Sequence, residues 1–155
     1  MKILKNFVPD LVFDASNAVE GRLASVTAKA LLEGKNVAIV NADKAIISKP
    51  IDGVVKWLQP WYGIHSWINP RKHSPRKYMT VDGYFRTSIR NMLPVDKVRG
   101  REAYKRLRVY EGVPKELASY QVETPKEVMW NGKEGHCTTL LELASYYGRK
   151  RVERA

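Results

Sequence analysis

Apolar and polar residues near the start of the chain follow the pattern of a strand, a helix and a second strand. Residues 11–15 form a short apolar run that predicts a buried strand. Apolar side chains then recur at helical spacing, at Val19, Leu23, Val26 and Ala30. Residues 37–40 are a continuous run of mostly β-branched residues, which favours a strand covered on both faces and hence a parallel sheet. The three segments together predict a right-handed β-α-β unit.

Capping residues predict where two helices begin and end. Asn17 is the predicted N-cap of the first helix, with Glu20 completing a capping box, and Gly34 is the expected C-terminal end. A second capping box is predicted near the end of the chain, where Thr139 and Glu142 begin an apolar segment that runs to Gly148.

The middle of the chain holds short elements separated by prolines. Residues 45–47 are a short apolar element, and residues 54–58 predict a short helix between Pro50 and Pro60. Residues 61–79 predict an extended, irregular basic loop, because they contain two further prolines, a glycine and a dense run of cations. Loops of this length in compact domains are usually functional or disordered.

A helix is predicted to follow this loop, from Asp82 as its N-cap to Asn91. Its expected apolar face carries Phe85, Ile89 and Met92. Two arginines one turn apart, Arg86 and Arg90, are expected on another face.

A short basic helix is predicted over residues 100–105, followed by a strand over residues 107–110. Arg101, Lys105 and Arg108 would share one face if helix continued as far as the last of them.

Length and composition indicate one α/β domain spanning residues 1–155. A chain of 155 residues with 44% hydrophobic residues can bury its own core. It contains no apolar run of the roughly 20 residues that a membrane-spanning helix needs. The first ten residues lack the apolar region of a secretory signal, and the single cysteine, Cys137, suits a reducing compartment. We therefore expect a cytoplasmic protein with a short basic tail at residues 149–155.

Positive charge is concentrated in one quarter of the sequence. Residues 71–108 contain twelve lysines and arginines against three acids, so this basic segment has a net charge of +9 out of +11 for the whole chain. Charge this localised favours a polyanionic partner, and nucleic acid phosphate is the leading candidate. The predicted RNA-binding residues are Arg71, Lys72, His73, Arg76, Lys77, Arg86, Arg90, Lys97, Arg99, Arg101, Lys105, Arg106 and Arg108.

Aromatic side chains are interleaved with these cations and could stack on unpaired bases. For three of them, Trp57, Trp61 and Trp67, packing in the core or against the loop is the preferred interpretation.

Other functions have little support in the sequence. Residues 16–21 have one glycine, where a dinucleotide fingerprint needs three, and they match no P-loop. The three histidines and one cysteine lack the spacing of a zinc site, and we expect no metal, cofactor or small-molecule substrate. The basic segment lacks the clustered carboxylates of a metal-dependent nuclease, and neither a hydrolase triad nor a helix-turn-helix is evident.

Four motifs in register closely resemble the universal large-subunit ribosomal protein thirteen family. They are residues 21–25 (GRLAS), 40–44 (VNADK), 91–94 (NMLP) and 106–112 (RLRVYEG). The resemblance covers about residues 11–148, and residues 138–143 (TTLLEL) are similar to the archaeal and eukaryotic branch.

This resemblance implies a three-layer α/β/α domain around a small, mainly parallel sheet. It also implies a structural, non-enzymatic protein that binds large-subunit rRNA beside other ribosomal proteins, through the cations of residues 86–108 and the loop at 71–77. The chain departs from the family at Asn91, where glycine is usual, and at Lys49 and Pro50, where a glycine usually follows Ser48. Asparagine tolerates a left-handed backbone, so we expect the turn at Asn91 to be retained.

An RNA-binding regulator that acts away from the ribosome is the main alternative, and a nucleic-acid enzyme is the third. Co-sedimentation with large subunits at moderate salt would separate the first two. Carboxylates clustered in a pocket would support the third.

Overall fold

The structure is a computed structural model that describes residues 7–75, 77–132 and 136–147. In these ranges the strands are β1 (Leu11–Asp14), β2 (Val37–Val40), β3 (Ile46–Ile47), β4 (Leu107–Val109), β5 (Val122–Glu123) and β6 (Thr138–Thr139). The helices are α1 (Glu20–Leu32), α2 (Ile51–Gly63), α3 (Pro70–His73), α4 (Val81–Met92), α5 (Val98–Lys105) and α6 (Leu140–Tyr146).

Four of these strands form a parallel sheet in the order β4-β2-β1-β5. In the register of the sheet, Val37 of β2 lies beside Leu11 on one side and Leu107 on the other. Strand β1 also pairs in parallel with β5 through Val12 and Val122. The predicted β-α-β unit is therefore confirmed, with α1 connecting the two central strands.

One face of this sheet packs on a large hydrophobic core, and the other face packs on a much smaller one. Successive side chains of a strand point to opposite faces. Phe13 and Ile39 belong to the larger core, which includes residues of α1, α4 and α6. Val12 and Val40 point the other way and pack with Leu117, which lies in a short 3-10 turn. The helices, the sheet and this thin outer layer give the expected three-layer α/β architecture.

The second capping box is confirmed. Thr139 is the N-cap of α6, its hydroxyl accepts from the Glu142 amide at 3.2 Å, and the Glu142 carboxylate accepts from the Thr139 amide at 3.0 Å. The same segment pairs in antiparallel fashion with β3, which places the start of α6 on the larger core. The predicted end at Gly148 and the basic tail lie outside the described residues.

The predicted N-cap of α1 is wrong. Helix α1 begins at Glu20 with Val19 as its N-cap and no side-chain cap, while Asn17 has a left-handed backbone with φ 56°. The carbonyl of Asn17 accepts from the amide of Trp130 at 2.9 Å, so a distant segment fixes its conformation. The other end of α1 is as expected, because Gly34 follows it with φ +100°.

The segment predicted as a short helix and a long loop is more helical than expected. Helix α2 continues through Pro60 to Gly63, although a proline beyond the first turn of a helix removes a hydrogen bond and crowds the preceding turn. A further helical turn, α3, interrupts the predicted loop. Among the described residues of 61–79, the irregular ones lie between α2 and α3 and between α3 and α4.

Helix α4 starts earlier than predicted and leaves one residue of the expected apolar face exposed. Thr80 is the N-cap, and its hydroxyl accepts from the Gly83 amide at 3.3 Å, so Asp82 is not the cap. Phe85 and Ile89 are fully buried as expected, but Met92 is 44% exposed.

Of two expectations for the residues around Asn91, the left-handed turn is wrong and the short basic helix is found with an earlier start. Asn91 lies inside α4 without a positive φ, so no left-handed turn occurs there. Helix α5 starts at Val98, and the buried Gly100 lies against the preceding turn. A Cβ atom at Gly100 would be 2.0 Å from the Pro94 carbonyl oxygen, so only glycine fits this approach.

Candidate nucleic-acid interface

Eight of the predicted RNA-binding residues are exposed. One of them, Arg99, donates to a carbonyl of the domain itself. The other seven lie on or next to three helices and are Arg71, Lys72, His73, Arg90, Lys97, Arg101 and Lys105. Residues from all three regions line one open cavity. Pro75 follows α3, Arg90 is in α4 and Tyr104 is in α5. Arg76 lies outside the described residues. We call these seven residues the exposed cation set.

Helix α5 presents its cations at regular spacing. Lys97 is the N-cap, and Arg101 and Lys105 follow at intervals of four residues, so the three side chains form one stripe. All three are exposed. The opposite side of the helix is buried through Gly100 and Ala103. Amphipathic packing thus turns the positive stripe towards solvent.

Two of the predicted residues instead cap a helix of the domain itself. The guanidinium of Arg106 donates to the Leu31 carbonyl at 2.9 Å, and that of Arg99 donates to the Leu32 carbonyl at 3.3 Å. These carbonyls belong to the last turn of α1, where helices have unpaired acceptors and partial negative charge. The position of Arg106 is therefore set by the fold, whereas the sequence predicts it only as a phosphate-binding residue.

Arg108 lies on a different face from the one predicted. Helix α5 ends at Lys105, and Arg108 is in β4 beside Ala38, which faces the thin outer layer. Its guanidinium donates to the Lys105 and Leu107 carbonyls at 3.0 and 2.8 Å and lies 5.0 Å from the ring of Phe7. The condition for a common face of Arg101, Lys105 and Arg108 is therefore not met, because the helix ends before Arg108.

Lys77 ties the predicted basic loop to the domain. Its ammonium donates to the Tyr62 carbonyl, and the Tyr62 hydroxyl donates to the Tyr78 carbonyl at 2.9 Å. The ring of Tyr62 packs on that of Tyr147, with centroids 4.2 Å apart. These contacts join the two ends of the segment, while Trp67 in its middle is 90% exposed.

Of the two arrangements expected for the three tryptophans, packing in the core is wrong. Trp57, Trp61 and Trp67 are 65%, 46% and 90% exposed. The Lys49 ammonium lies 5.6 Å from the Trp57 ring, and His65 packs beside Trp67 at 5.3 Å. The apolar positions of α2 that reach the core are Val54 and Leu58, which leaves the bulky rings outside.

Two ionisable groups at the contact between α1 and α4 have pKa values shifted in the direction that favours their neutral forms. Burial raises the pKa of the Glu20 carboxyl, although a hydrogen bond with Ser88 partly opposes this. Burial also raises the pKa of the Tyr84 hydroxyl, and the Glu20 carboxylate adds to the shift. Arg90 is on the exposed side of the same helix.

No three histidine, cysteine or acidic side chains within the described ranges come together as a metal site. Among the described helices, none has the length and apolar character needed to cross a membrane.

Comparison with known proteins agrees with the motifs. The family model described as "Ribosomal protein L13" matches residues 10–116. The large ribosomal subunit protein uL13 of Methanocaldococcus jannaschii is 38% identical over 90% of this chain and 98% of its own. The proteins of the same name from Archaeoglobus fulgidus and Thermoplasma volcanium are 34% and 37% identical, over 97% and 88% of this chain and 96% and 97% of their own.

These three relatives are archaeal, as the resemblance of residues 138–143 predicts. Each match spans most of both chains, so it includes the sheet, the helices and the basic segment. The chain therefore belongs to the ribosomal protein L13 family, which makes it a structural protein of the large ribosomal subunit, cytoplasmic and not an enzyme.

Proposed function

We propose that the exposed cation set binds large-subunit rRNA and positions RNA segments during assembly of the subunit. The observation that carries this proposal is the +9 basic segment, which exposes the seven residues of this set on or next to α3, α4 and α5 of an L13-family chain. Other ribosomal proteins of the large subunit are the expected neighbours.

The mechanism is electrostatic. RNA segments repel one another through their phosphates, and cations placed between two segments offset that repulsion. Arginines such as Arg90 and Arg101 suit this role because a planar guanidinium can hold two phosphate oxygens. The sheet and the larger core fix α4 and α5 relative to each other, so the charges are presented in a fixed arrangement. Of the internally bonded cations, Arg99 and Arg106 support this arrangement through α1, and Lys77 supports it through the base of the loop.

The stripe on α5 gives the sharpest test of this function. Replacing Lys97, Arg101 and Lys105 together with alanine should weaken binding to large-subunit rRNA by one to two orders of magnitude while leaving thermal unfolding almost unchanged. The side chains are exposed, so little packing is lost, whereas about three phosphate contacts disappear. Filter binding and thermal denaturation measure the two effects.

A matched control removes the same amount of charge elsewhere. Lys29, Lys115 and Lys126 are also exposed but lie outside the basic segment. Their triple alanine variant should bind rRNA nearly as well as the unchanged protein. Equal loss in the two variants would mean that binding follows net charge, and the proposed interface would be wrong.

Bound rRNA should protect particular peptide bonds in residues 61–79 from cleavage by trypsin. Trypsin should cleave the free protein at Arg71 or Lys72, which are exposed, and rRNA should block this cleavage. Lys77 should resist in both states because its ammonium is bonded to the Tyr62 carbonyl. Mass spectrometry of the fragments identifies the cleaved bonds.

Arg22, an exposed residue of α1, is the internal reference for this digestion. It should resist trypsin with and without RNA, because cleavage needs local unfolding of a helix packed on the core. Protection at Arg71 and Lys72 that is the same without RNA would show that the segment packs on the domain by itself.

A further inference from the structure

We propose that the cavity between α2, α4 and α5 holds a single unpaired nucleotide of the RNA. This inference rests on the proposed function and specifies the chemistry of one part of the interface. The cavity has a volume of about 730 Å³ and is lined by Trp61, Tyr78, Arg86, Arg90, Asn91 and Tyr104. Its volume lies within the range of sites that enclose small organic molecules.

Aromatic rings from three separate parts of the chain converge on this cavity. Trp61 is in the last turn of α2, Tyr78 precedes α4, and Tyr104 is in α5. Trp61 and Tyr78 are 46% and 38% exposed, so large parts of both rings remain available to a ligand. Rings that are left uncovered beside cations are the features on which unpaired bases stack.

The cationic side of the cavity supplies donors for a phosphate. The Arg86 guanidinium lies 5.4 Å from the Tyr104 ring, and its Nε has no hydrogen-bond partner among the described residues. A donor shielded from water and without an acceptor is unfavourable, so an anion that enters and turns the guanidinium slightly towards itself would be stabilised. Arg90 lies one turn further along α4 and is exposed at the same cavity. Asn91 can form hydrogen bonds with a base edge.

This combination selects an unpaired nucleotide over duplex RNA. The backbone of a duplex presents phosphates but keeps the faces of its bases stacked inside, where the three rings cannot reach them. A nucleotide turned out of a loop or bulge offers a base to the rings and a phosphate to the arginines at the same time. The exposed cation set outside the cavity needs only phosphates and can bind either form.

The test uses two RNAs and the full-length protein. The first is a single-stranded octa-uridylate with 2-aminopurine at its centre, because uridines stack little and the fluorescence of the probe is then quenched when it stacks on a protein ring; the second is a short RNA duplex. Replacing Trp61 with alanine should weaken single-strand binding by about five- to a hundredfold and abolish the quenching, because one base-stacking contact is lost. Duplex binding should not change.

The same helix offers a matched control. Trp57 lies one turn before Trp61, is more exposed, and does not line the cavity. Trp57→Ala should bind both RNAs like the unchanged protein, and Trp61→Phe, which keeps a ring, should retain most of the single-strand affinity. If Trp61→Ala fails to fold in thermal denaturation, Tyr78→Leu should give the same selective loss.

The possible outcomes separate this proposal from the broader one. If the unchanged protein binds neither RNA, the proposed rRNA-binding function is wrong. If it binds both but Trp61→Ala and Tyr78→Leu lose no single-strand affinity, or lose both RNAs equally, only the cavity proposal is overturned. Adenosine monophosphate should compete only weakly; binding as tight as that of the octanucleotide would assign the cavity to a free nucleotide instead.

Discussion

Replacing Phe85 with alanine should lower the free energy of unfolding by about 3–5 kcal/mol, the largest effect expected for a single side chain of α4. Phe85 is completely buried in the larger core, where α4 packs on α1 and on the sheet. Removing its ring leaves a cavity that rigid neighbours can only partly fill. Urea denaturation followed by circular dichroism measures the loss.

Arg90→Ala is the control for this prediction because Arg90 lies on the same helix but is exposed. It should change stability by less than about 0.5 kcal/mol while weakening RNA binding. A loss below about 1 kcal/mol for Phe85→Ala would contradict the packing of α4 described above.

Binding to large-subunit rRNA should weaken by about 250- to 1000-fold between 50 and 200 mM monovalent salt. This follows if about six phosphates are neutralised, because the logarithm of the binding constant then falls against that of the salt concentration with a slope near −4 to −5. The exposed cation set contains six lysines and arginines besides His73, which is the basis for that number. Fluorescence anisotropy with labelled rRNA over a salt series gives the slope.

The α5 triple alanine variant provides an internal check on this slope. It lacks half of the six permanently charged side chains, so its slope should be shallower by about two to three. A slope shallower than about −2 for the unchanged protein would mean that phosphate neutralisation is not the main source of affinity.

Parts of the fold that depend on residues close together in the sequence could be predicted from the sequence. The capping box of Thr139 and Glu142 involves residues three positions apart, and the apolar stripe of α1 depends only on helical spacing. The N-cap of α1 could not be predicted in this way. The backbone of Asn17 is bonded to Lys44 and Trp130, which are distant in sequence, and these contacts override its local preference for a cap.

The candidate interface was predictable as a region but not residue by residue. Counting charges locates the basic segment, because charge is a property of composition. The same count cannot tell Arg101, which is exposed, from Arg106, whose acceptor lies 75 residues earlier in the chain. The exposure of Trp61 was also missed, since a tryptophan at that spacing fits a core or a surface equally well. Its position beside Arg86 and Tyr104 depends on three segments meeting in the fold.

The parallel pairing of β1 with β5 has a consequence for synthesis of the protein. Strand β1 ends at Asp14, but its outer neighbour is formed by Val122 and Glu123, near the other end of the chain. While the protein is being made, β2 and β4 can join the sheet before residue 122 has emerged from the ribosome, and the outer edge of β1 then has no partner. The complete basic segment also emerges during this interval. A nascent chain therefore carries an open strand edge and most of its positive charge at the same time, which makes this interval the one in which it is most exposed to aggregation and to non-specific RNA binding.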